Sequence, residues 1–413
     1  MKFTFLRTII LNGLLQKWFG KYLGLACALF GGIGILMELW MKKRIFTFVV
    51  LLMVATSLFA ASGVADLNDG VFRIAMLING DLGDMSFWDS ANEGMLRFAK
   101  DHPEVEVKIV EMGSSDSTIY ESTLTKTANE AYDLIIVGTS DMREPLQRLV
   151  KKSKYKDRRF IIFDTEIKDG AASKYSTVHS IMFSQNEGGY LAGVLAALIS
   201  IEQGYENTAF IGGASNDIIN DFAVGFVQGV QAVNETKGTP IGVYNSFIGD
   251  FVDSPKGKSL ALAYYNSNIG ILFAAASQAG IGCIEAAKIS GKTIIGVDSD
   301  QYSYYKDSDP SKANVIVTSI EKRVGDTLYE ACEKFINGTL TYGDLEVLGV
   351  KEGKIGYSNN EHFTSVVSAS IQDYLKQASS DIASGKIVVK RGLKRYMSAT
   401  DRYALLDSLN PTK

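Results

Sequence analysis

The sequence predicts an α/β protein made of two similar halves, each a parallel β-sheet covered by helices on both faces. Three observations lead to this prediction. From Phe72 onward, apolar runs rich in β-branched and aromatic residues recur, each is followed by a polar turn, and each turn leads into a stretch with helical periodicity. Strands and helices that alternate in this way form βαβ units, whose crossovers make the strands parallel.

Four predicted strands fall in the first half and four in the second, with the boundary near residues 179–184. The first four are FRIAMLI, VEVKIVEM, YDLIIVG and RFIIFD, and the second four are TAFIGG, IGVYNSF, IGILFAAA and KTIIGVD. The stretch SQNEGGYLAGVLAALIS is nearly apolar in its later turns, which predicts a helix packed deep in the second half. Because this stretch is short and interrupted by glycine, we do not expect it to span a membrane.

Composition excludes several classes of protein. The 413-residue chain has a formal net charge of −4, and its first 65 residues hold seven basic residues and one acid, Glu38. The remainder therefore has 35 basic and 45 acidic residues, a net charge of −10 that argues against a nucleic-acid partner. Three cysteines are too few and too scattered for a disulfide framework or a zinc cluster.

The amino terminus resembles an export signal. From Met41, residues 41–65 read MKKRIFTFVVLLMVATSLFAASGVA, with a basic start, an apolar segment and small residues before the expected cleavage point. The apolar segment is short for a membrane-spanning helix, although a retained anchor stays an alternative. Residues 1–40 form a second apolar leader, so translation from Met41 would give an exported protein, and translation from Met1 would favour a membrane anchor.

Polar or aromatic side chains follow most of the predicted strands. In open α/β sheets, ligands bind beyond the carboxyl ends of the strands, so these exits are the expected site. Two such sheets that face each other would enclose a cleft lined from both sides. The exits are residues 84–89, 139–141, 164–166, 212–216, 247–253, 277–278 and 298–301.

Seven motifs, in order from about residue 72 to residue 387, carry a family resemblance. Together they resemble the basic membrane protein family of substrate-binding lipoproteins, and within it the purine nucleoside receptors of ATP-binding-cassette (ABC) importers. The motifs are GDMSFWDSANEG, SIMFSQNEGGYLAGVLAAL, FIGGASNDIINDFAVGFVQGVQAVN, DSPKGKSLALAYYN, GIGCIEAAK, IIGVDSDQ and TSIEKRVGD.

The resemblance implies a type I periplasmic-binding fold, in which a three-segment hinge joins two Rossmann-like lobes and a nucleoside lies in the cleft between them. We expect residues 70–180 and about 303–340 in the first lobe, and residues 181–302 and about 341–388 in the second. The resemblance also implies a monomer at the outer face of the cytoplasmic membrane, with an ABC permease and its ATPase as partners.

The first lobe is expected to contribute Ser86, Phe87, Trp88 and Asp89 to the site. Ser86 and Asp89 have the spacing of a weak capping box at a helix start, which would turn Phe87 toward the cleft as a stacking wall. A place in the core is the alternative for Phe87. Trp88 stands where the family usually has Asn, so the resemblance implies altered base selectivity, with Asp89 replacing the lost contact to the base edge.

The second lobe is expected to supply the opposite wall. Phe222 and Phe251 match aromatic positions of the family motifs, although each fits the core equally well. Asp300 and Lys322 are the candidates for the ribose hydroxyls, because a carboxylate accepts from both hydroxyls while an ammonium group donates. A hinge salt bridge is the alternative for that pair.

Three further residues are expected at the cleft. Asp164 closes the strand RFIIFD and is a weaker ligand candidate, since the family tends to have IDG where this chain has DTE. Ser277 and Gln278 replace a pair of glycines of the family, which places bulk where the backbone normally approaches the ligand. That replacement again indicates an altered ligand.

Enzymatic function finds little support in the sequence. The motifs GxGxxG after the first strand, GxxxxGK[ST] and GxSxG are absent, and the three histidines are not spaced for metal ligation. We therefore expect neither catalytic residues nor a metal or cofactor. Two alternatives to nucleoside import stay open: a receptor that reports its ligand to a signalling partner, and a receptor for another small solute.

The tail, residues 389–413, begins with basic residues and ends in a weak helical pattern. It either caps a lobe or contacts the permease.

Overall fold

The computed structural model describes residues 70–113, 116–167 and 175–412 of the chain. The predicted leader and signal segment, residues 1–65, lie outside the described residues. No helix within these described ranges is long and apolar enough to cross a bilayer. All the described ranges belong to one compact unit.

Two six-stranded sheets form the centres of two lobes. All neighbouring strands are parallel except β10 (Ile316–Lys322) and β12 (Ile355–Tyr357), which are antiparallel. From edge to edge, the sheet of the first lobe consists of β11 (Leu345–Leu348), β5 (Val178–Phe183), β4 (Arg159–Phe163), β3 (Leu134–Gly138), β1 (Arg73–Ile78) and β2 (Glu106–Glu111). The sheet of the second lobe consists of β12 (Ile355–Tyr357), β10 (Ile316–Lys322), β9 (Thr293–Asp298), β8 (Ile271–Ala275), β6 (Asn207–Gly212) and β7 (Gly242–Phe247).

Helices connect these strands and cover the sheets. They are α1 (Phe87–Asp101), α2 (Thr118–Asn129), α3 (Arg143–Val150), α4 (Gln185–Gln203), α5 (Asp217–Lys237), α6 (Ser254–Asn266), α7 (Ser277–Ser290), α8 (Gln301–Tyr305), α9 (Pro310–Ala313), α10 (Val324–Ile336), α11 (Glu361–Val366), α12 (Ala369–Ala383) and α13 (Ala399–Asp407). Short 3-10 turns lie at Ser140–Met142 and Ser153–Tyr155.

All eight predicted strands are present, as β1 to β4 and β6 to β9. The other four strands were not predicted. Of these, β11 and β12 have four and three residues and lie at sheet edges, so their sequences carry little periodic signal. Edge strands of this length are defined by the neighbour with which they pair, which is a tertiary contact.

The chain exchanges strands between the lobes in a way that differs from the expected boundaries. Strand β10 pairs with β9 in the second sheet, although residues 303–340 were assigned to the first lobe. Strand β11 pairs with β5 in the first sheet, although residues 341–388 were assigned to the second lobe. The lobe to which a strand belongs is set by the strand with which it forms hydrogen bonds. The local sequence of a strand does not reveal which strand that is.

Within the described residues, the chain therefore crosses between the lobes three times: after β5, after β10 and after β11. Backbone hydrogen bonds hold these crossings together, since Ser184 N donates to the Leu348 carbonyl at 2.8 Å and Arg323 N donates to the Lys354 carbonyl at 3.0 Å. The carboxylate of Glu187 also accepts a hydrogen bond from Val350 N at 2.7 Å. Burial raises the pKa of Glu187. The three crossings thus form one hydrogen-bonded hinge.

Helix α4 is almost entirely buried, which confirms the prediction that it packs deep in the second half. It lies very close to α5, because a Cβ added to Gly189 would lie 2.1 Å from the carbonyl oxygen of Phe222. Glycine is therefore required at this point of contact. This close contact between α4 and α5 fixes the position of Phe222, which lies near the N-terminus of α5.

The tail packs against the second lobe, which supports the capping alternative. Helix α13 contacts α5, and the Leu409 carbonyl accepts a hydrogen bond from Val243 N of edge strand β7 at 2.8 Å. The tail thus covers an edge that would otherwise expose unpaired backbone groups.

Candidate functional site: a cleft between the lobes

A cavity of about 460 Å³ lies between the carboxyl ends of the two parallel sheets. Its size is within the range of sites for small organic ligands. All seven strand exits expected to form the site contribute to its wall. They supply Asp84, Phe87 and Trp88; Thr139, Ser140 and Asp141; Asp164; Ala214 and Asn216; Asp250, Phe251 and Val252; Ser277 and Gln278; and Asp298.

Aromatic rings line the cavity on both sides. In the first lobe, the Phe87 ring is 93% buried because it stacks on Phe163, with 5.7 Å between ring centroids, and packs edge-on against Trp88. In the second lobe, Phe222 and Phe251 line the opposite wall. The cavity therefore has aromatic residues in its wall on both lobes, and Phe87 also belongs to the hydrophobic core of the first lobe.

Phe222 and Phe251 differ in how much surface they offer. Phe222 is buried in the core of the second lobe, where it packs edge-on against Phe273 at 5.8 Å, so only part of its ring faces the cavity. Phe251 is half-buried and rests on Gly213, where an added Cβ would lie 2.4 Å from the ring. Phe222 therefore belongs to the core of the second lobe and also lines the cavity.

Lys322 lies between the two aromatic walls. Its ammonium nitrogen is 4.7 Å from the ring centroid of Phe87 and 5.7 Å from that of Phe222. The same nitrogen donates a hydrogen bond to Asp164 Oδ1 at 2.9 Å and lies 3.9 Å from Asp298 Oδ1. The Phe183 ring also lies 5.7 Å from this nitrogen, so the ammonium group is the common neighbour of three rings and two carboxylates.

Both carboxylates beside Lys322 are nearly fully buried. Burial raises the pKa of Asp164 and of Asp298, while the charge of Lys322 opposes the rise. Both residues also have positive φ, 57° and 65°, at the ends of β4 and β9. Residues held in this strained region are typical of binding sites, because the surrounding structure compensates for the strain.

Asp298 has one oxygen that forms an ion pair with Lys322 at 3.9 Å but accepts no hydrogen bond within the described ranges. Its Oδ2 atom accepts a hydrogen bond from the Ser86 hydroxyl at 2.7 Å, which links the two lobes. Its Oδ1 atom is buried and has no hydrogen-bond partner among the described residues. Such an acceptor in a cavity wall is suited to a donor group of a ligand.

The start of α1 differs from the expected capping box. Ser86 does not cap the helix, because its hydroxyl bonds to Asp298. Asp84 acts as the cap, and its carboxylate accepts hydrogen bonds from the backbone N–H groups of Trp88 and Asp89 at 3.1 Å each. The loop after β1 folds back, so that Asp84, which precedes Ser86 in the chain, reaches the N-terminus of α1.

Asp84 also joins the two lobes. Its Oδ2 atom accepts a hydrogen bond from the Ser277 hydroxyl at 2.7 Å. Burial raises the pKa of Asp84 to about 6, against the effect of the Ser277 hydrogen bond. Ser277 has φ 49° at the start of α7, a conformation that glycine adopts more easily. Together with Gln278 it lines the cavity, so the expected bulk is present there.

Asp89 does not line the cavity. Its carboxylate accepts hydrogen bonds from the backbone N–H groups of Gly83 and Met85, both at 2.8 Å. It therefore stabilises the loop after β1 and does not face the site. Trp88 does line the cavity, and its indole nitrogen lies so close to Gly80 that an added Cβ there would be 1.9 Å away.

Asp300 also lies outside the cavity, which corrects the assignment made from the sequence. Its carboxylate accepts hydrogen bonds from the Asn360 side chain at 3.0 Å and from the Ser303 hydroxyl at 2.7 Å, next to a separate depression. Strand β9 ends at Asp298, and the chain then turns away to begin α8. Asp298 therefore takes the place beside Lys322 that was expected for Asp300.

Several wall residues were not singled out individually from the sequence. They are polar and lie just after strand ends, where that position was the available signal. They include Asn79, Asp81, Asp84, Asp141, Asn216, Asp250 and Asp298.

Comparisons with known proteins agree with this architecture. Residues 71–391 match the family model Bmp, described as "ABC transporter substrate-binding protein PnrA-like". Basic membrane protein B of Borreliella burgdorferi is 30% identical over 362 residues, covering 86% of this chain and 97% of that protein. The ABC transporter nucleoside-binding protein BmpA of Lactococcus lactis is 26% identical over 367 residues, covering 84% and 99%.

A solved structure shares the fold. The solute-binding protein of an ABC transporter system from Aeropyrum pernix superposes with a TM-score of 0.69 at 23% identity, covering 82% of this chain and 99% of that one. The family consists of solute-binding proteins rather than enzymes. From its two parallel-sheet lobes, its interlobe cleft and the match over residues 71–391, we conclude that the chain belongs to the Bmp family of PnrA-like ABC transporter substrate-binding proteins.

Proposed function

We propose that this protein is the extracytoplasmic receptor of an ABC importer and that it captures a nucleoside, with a purine base, in the cleft between its lobes. The observation that carries the proposal is the arrangement around Lys322, where rings of both lobes and two carboxylates surround one ammonium group. Flat rings suit a heterocyclic base, and the charged groups suit a sugar that carries vicinal hydroxyls.

In this proposal the base lies between Phe87 of the first lobe and Phe222 or Phe251 of the second. Base stacking on an aromatic side chain contributes about 1–3 kcal/mol. The ribose lies toward Lys322, which donates to a sugar oxygen, while Asp298 Oδ1 accepts from a hydroxyl. A hydrogen bond to a charged group contributes about 1.5–3 kcal/mol. Two walls and two such bonds supply enough free energy to offset the cost of association.

The BmpA relative from Lactococcus lactis, described as nucleoside-binding, supports the ligand class. Trp88 and Ser277 change the wall where the family usually has Asn and Gly, so we propose that the preference among bases differs from that of its relatives. The proposal places the protein outside the cytoplasmic membrane, with an ABC permease and its ATPase as partners.

Calorimetric titration with adenosine, guanosine, inosine, cytidine and ribose tests the proposal. We expect purine nucleosides to bind with micromolar or tighter Kd, and we expect ribose alone to bind far more weakly because it cannot stack. A ligand-dependent change in tryptophan fluorescence that disappears in Trp88→Phe would assign binding to this cleft. Failure of every nucleoside to bind would refute the proposed ligand.

Sensing is the second candidate, because a receptor that closes on its ligand can also signal to a membrane partner. Uptake of labelled nucleoside by cells with and without the gene distinguishes the two roles. Import predicts that uptake is lost, whereas sensing predicts that uptake is unchanged.

A further inference from the structure

The charge of the cleft wall is strongly unbalanced. Lys322 is the one basic side chain among the described residues that line the cavity. Six carboxyl groups line the same cavity, from both lobes and from rim to interior. They belong to Asp81, Asp84, Asp141, Asp164, Asp250 and Asp298.

Lys322 is already engaged. It is buried and donates to Asp164 at 2.9 Å, with Asp298 at 3.9 Å. The ammonium group is therefore balanced by two acids and cannot offset an additional anion. By contrast, two buried acceptors in the wall, Asp298 Oδ1 and Asn79 Oδ1, have no hydrogen-bond partner among the described residues. The interior thus offers acceptors for hydrogen-bond donors.

Helix N-termini often bind phosphate, and two of those that begin at this cleft, α1 and α5, are capped by side chains. The third, α7, has no side-chain cap, but its Ala279 N–H donates to the Phe251 carbonyl at 2.9 Å. Asp84 accepts the N–H groups of Trp88 and Asp89 at the start of α1. The side chain of Asn216 accepts the N–H of Ile219 at the start of α5, at 3.0 Å. These backbone donors are therefore occupied by protein oxygens rather than open to an anion.

We propose that the cleft excludes phosphorylated ligands and accepts their uncharged, donor-bearing forms. This inference rests on the proposed function and deepens it. A phosphate monoester carries a charge of about −1.5 to −2, and placing it among like charges is strongly unfavourable. A hydrolytic reaction that removes phosphate outside the membrane must then precede capture whenever the available solute is a nucleotide.

Calorimetry with adenosine, guanosine and their 5′-monophosphates tests the exclusion. We expect each monophosphate to bind at least about a hundredfold more weakly than its nucleoside. The double variant Asp141→Asn/Asp250→Asn removes two charges at the rim of the cleft. We expect it to lower the ratio of the monophosphate Kd to the nucleoside Kd by about threefold or more. In Asp307→Asn, an exposed acid outside the cleft is removed, and the ratio should not change.

Equal affinity for nucleoside and monophosphate would overturn the exclusion and leave the proposed function intact. If the ratio of the monophosphate Kd to the nucleoside Kd is unchanged in Asp141→Asn/Asp250→Asn, then Asp141 and Asp250 do not contribute to the exclusion. Absence of binding by all four compounds would overturn the proposed function and this inference together.

A separate observation concerns the tail, part of which lies beyond the residues that match the family model. The segment after residue 389 is fixed to the second lobe. Gly392 N donates to the buried carboxylate of Asp221 on α5 at 2.6 Å, and the Arg402 guanidinium donates to the Gly392 carbonyl at 3.1 Å. This segment therefore moves with the second lobe.

Two arginines of the segment reach the first lobe. Arg391 donates to the Phe183 carbonyl at the end of β5, at 2.7 Å, next to a hinge crossing. Arg395 forms a salt bridge with Glu166, whose side chain is 13% exposed. Glu166 follows the cleft residue Asp164 by two positions, so this salt bridge lies near the cleft.

We infer that the Arg395–Glu166 salt bridge is a latch that holds the lobes closed and slows ligand release. Hinge opening separates the cleft edges of the lobes, so it must break a bond that joins a second-lobe segment to the loop after β4. Arg395 is a positioning residue here, because it acts through the lobes and does not line the cavity.

Dissociation rates measured by surface plasmon resonance test the latch. We expect Arg395→Gln and Glu166→Gln each to speed nucleoside release about three- to tenfold, the range for a partly buried ion pair. The charge-swapped double variant Glu166→Arg/Arg395→Glu should restore slow release. The control is Lys394→Gln, because the exposed Lys394 lies 3.9 Å from Asp217 of its own lobe.

Small-angle scattering of the unliganded protein gives a readout that does not depend on the ligand. Both single variants should have a larger radius of gyration than the wild type, because the lobes open more often. Unchanged radii and unchanged release rates would overturn the latch, as would a double variant that releases ligand faster than either single variant.

Discussion

Asp298 and Asp300 allow one sharp test of the site, because they are two residues apart and have different surroundings. Asp298 lines the cavity beside Lys322, with Oδ1 lacking a hydrogen-bond partner within the described ranges. Asp300 lies outside it, bonded to Asn360 and Ser303. We therefore expect Asp298→Asn to weaken nucleoside binding and Asp300→Asn to leave it nearly unchanged.

The magnitude follows from the contact that is lost. Asn has the shape of Asp and keeps one acceptor for the Ser86 hydroxyl, so the substitution removes mainly the charge at Oδ1. A hydrogen bond to a charged group contributes about 1.5–3 kcal/mol, which corresponds to about a ten- to hundredfold increase in Kd. A substitution at Asp300 should change Kd by less than about threefold, as is usual for residues that do not contact a ligand.

Calorimetry at constant pH measures both variants, and thermal unfolding checks that each is folded. Asp298→Asn with wild-type affinity would refute the assignment of Asp298 to the ribose. A large loss in Asp300→Asn would show that the residue two positions later reaches the ligand and that the cavity was assigned to the wrong acid.

Three further predictions concern the wall and the tail anchor. We expect Phe87→Ala to weaken nucleoside binding at least tenfold, about 1.4 kcal/mol, while Phe72→Ala, at an exposed ring outside the cleft, leaves the Kd unchanged in the same calorimetric assay. Gly80→Ala should displace the Trp88 ring, because the added Cβ would lie 1.9 Å from the indole nitrogen, and both tryptophan emission and affinity should change; wild-type emission would contradict that packing. Burial raises the pKa of Asp221 from 3.8 to about 6, so the folded protein binds a proton at this carboxylate more tightly than the unfolded chain does. Protonation of Asp221 therefore adds to the free energy of unfolding. This addition is complete below pH 3.8 and is lost as the pH rises through 6. Denaturant titrations of the wild type and Asp221→Asn should therefore differ in their pH dependence between about pH 4 and 6, and parallel profiles would contradict the raised pKa.

Much of the fold was predictable from the sequence because it depends on local patterns. The eight predicted strands are marked by β-branched runs followed by turns, and the apolar character of α4 indicates its burial. The general place of the site followed as well, because parallel strands bring their carboxyl ends to one edge of a sheet. The stacking candidate Phe87 and the ammonium group of Lys322 were proposed from the family motifs that contain them, and both line the cavity.

The choice among neighbouring residues required the tertiary structure. Asp298 rather than Asp300 faces the cavity, and Asp84 rather than Ser86 caps α1, because the direction of the chain after a strand depends on loop dihedrals that the residue types do not specify. The exchange of β10 and β11 between the lobes, the Ser277–Asp84 and Ser86–Asp298 hydrogen bonds and the Arg395–Glu166 salt bridge join residues that are distant in the chain. Local sequence determines which segments become strands and helices, whereas packing of the two lobes determines which side chains meet.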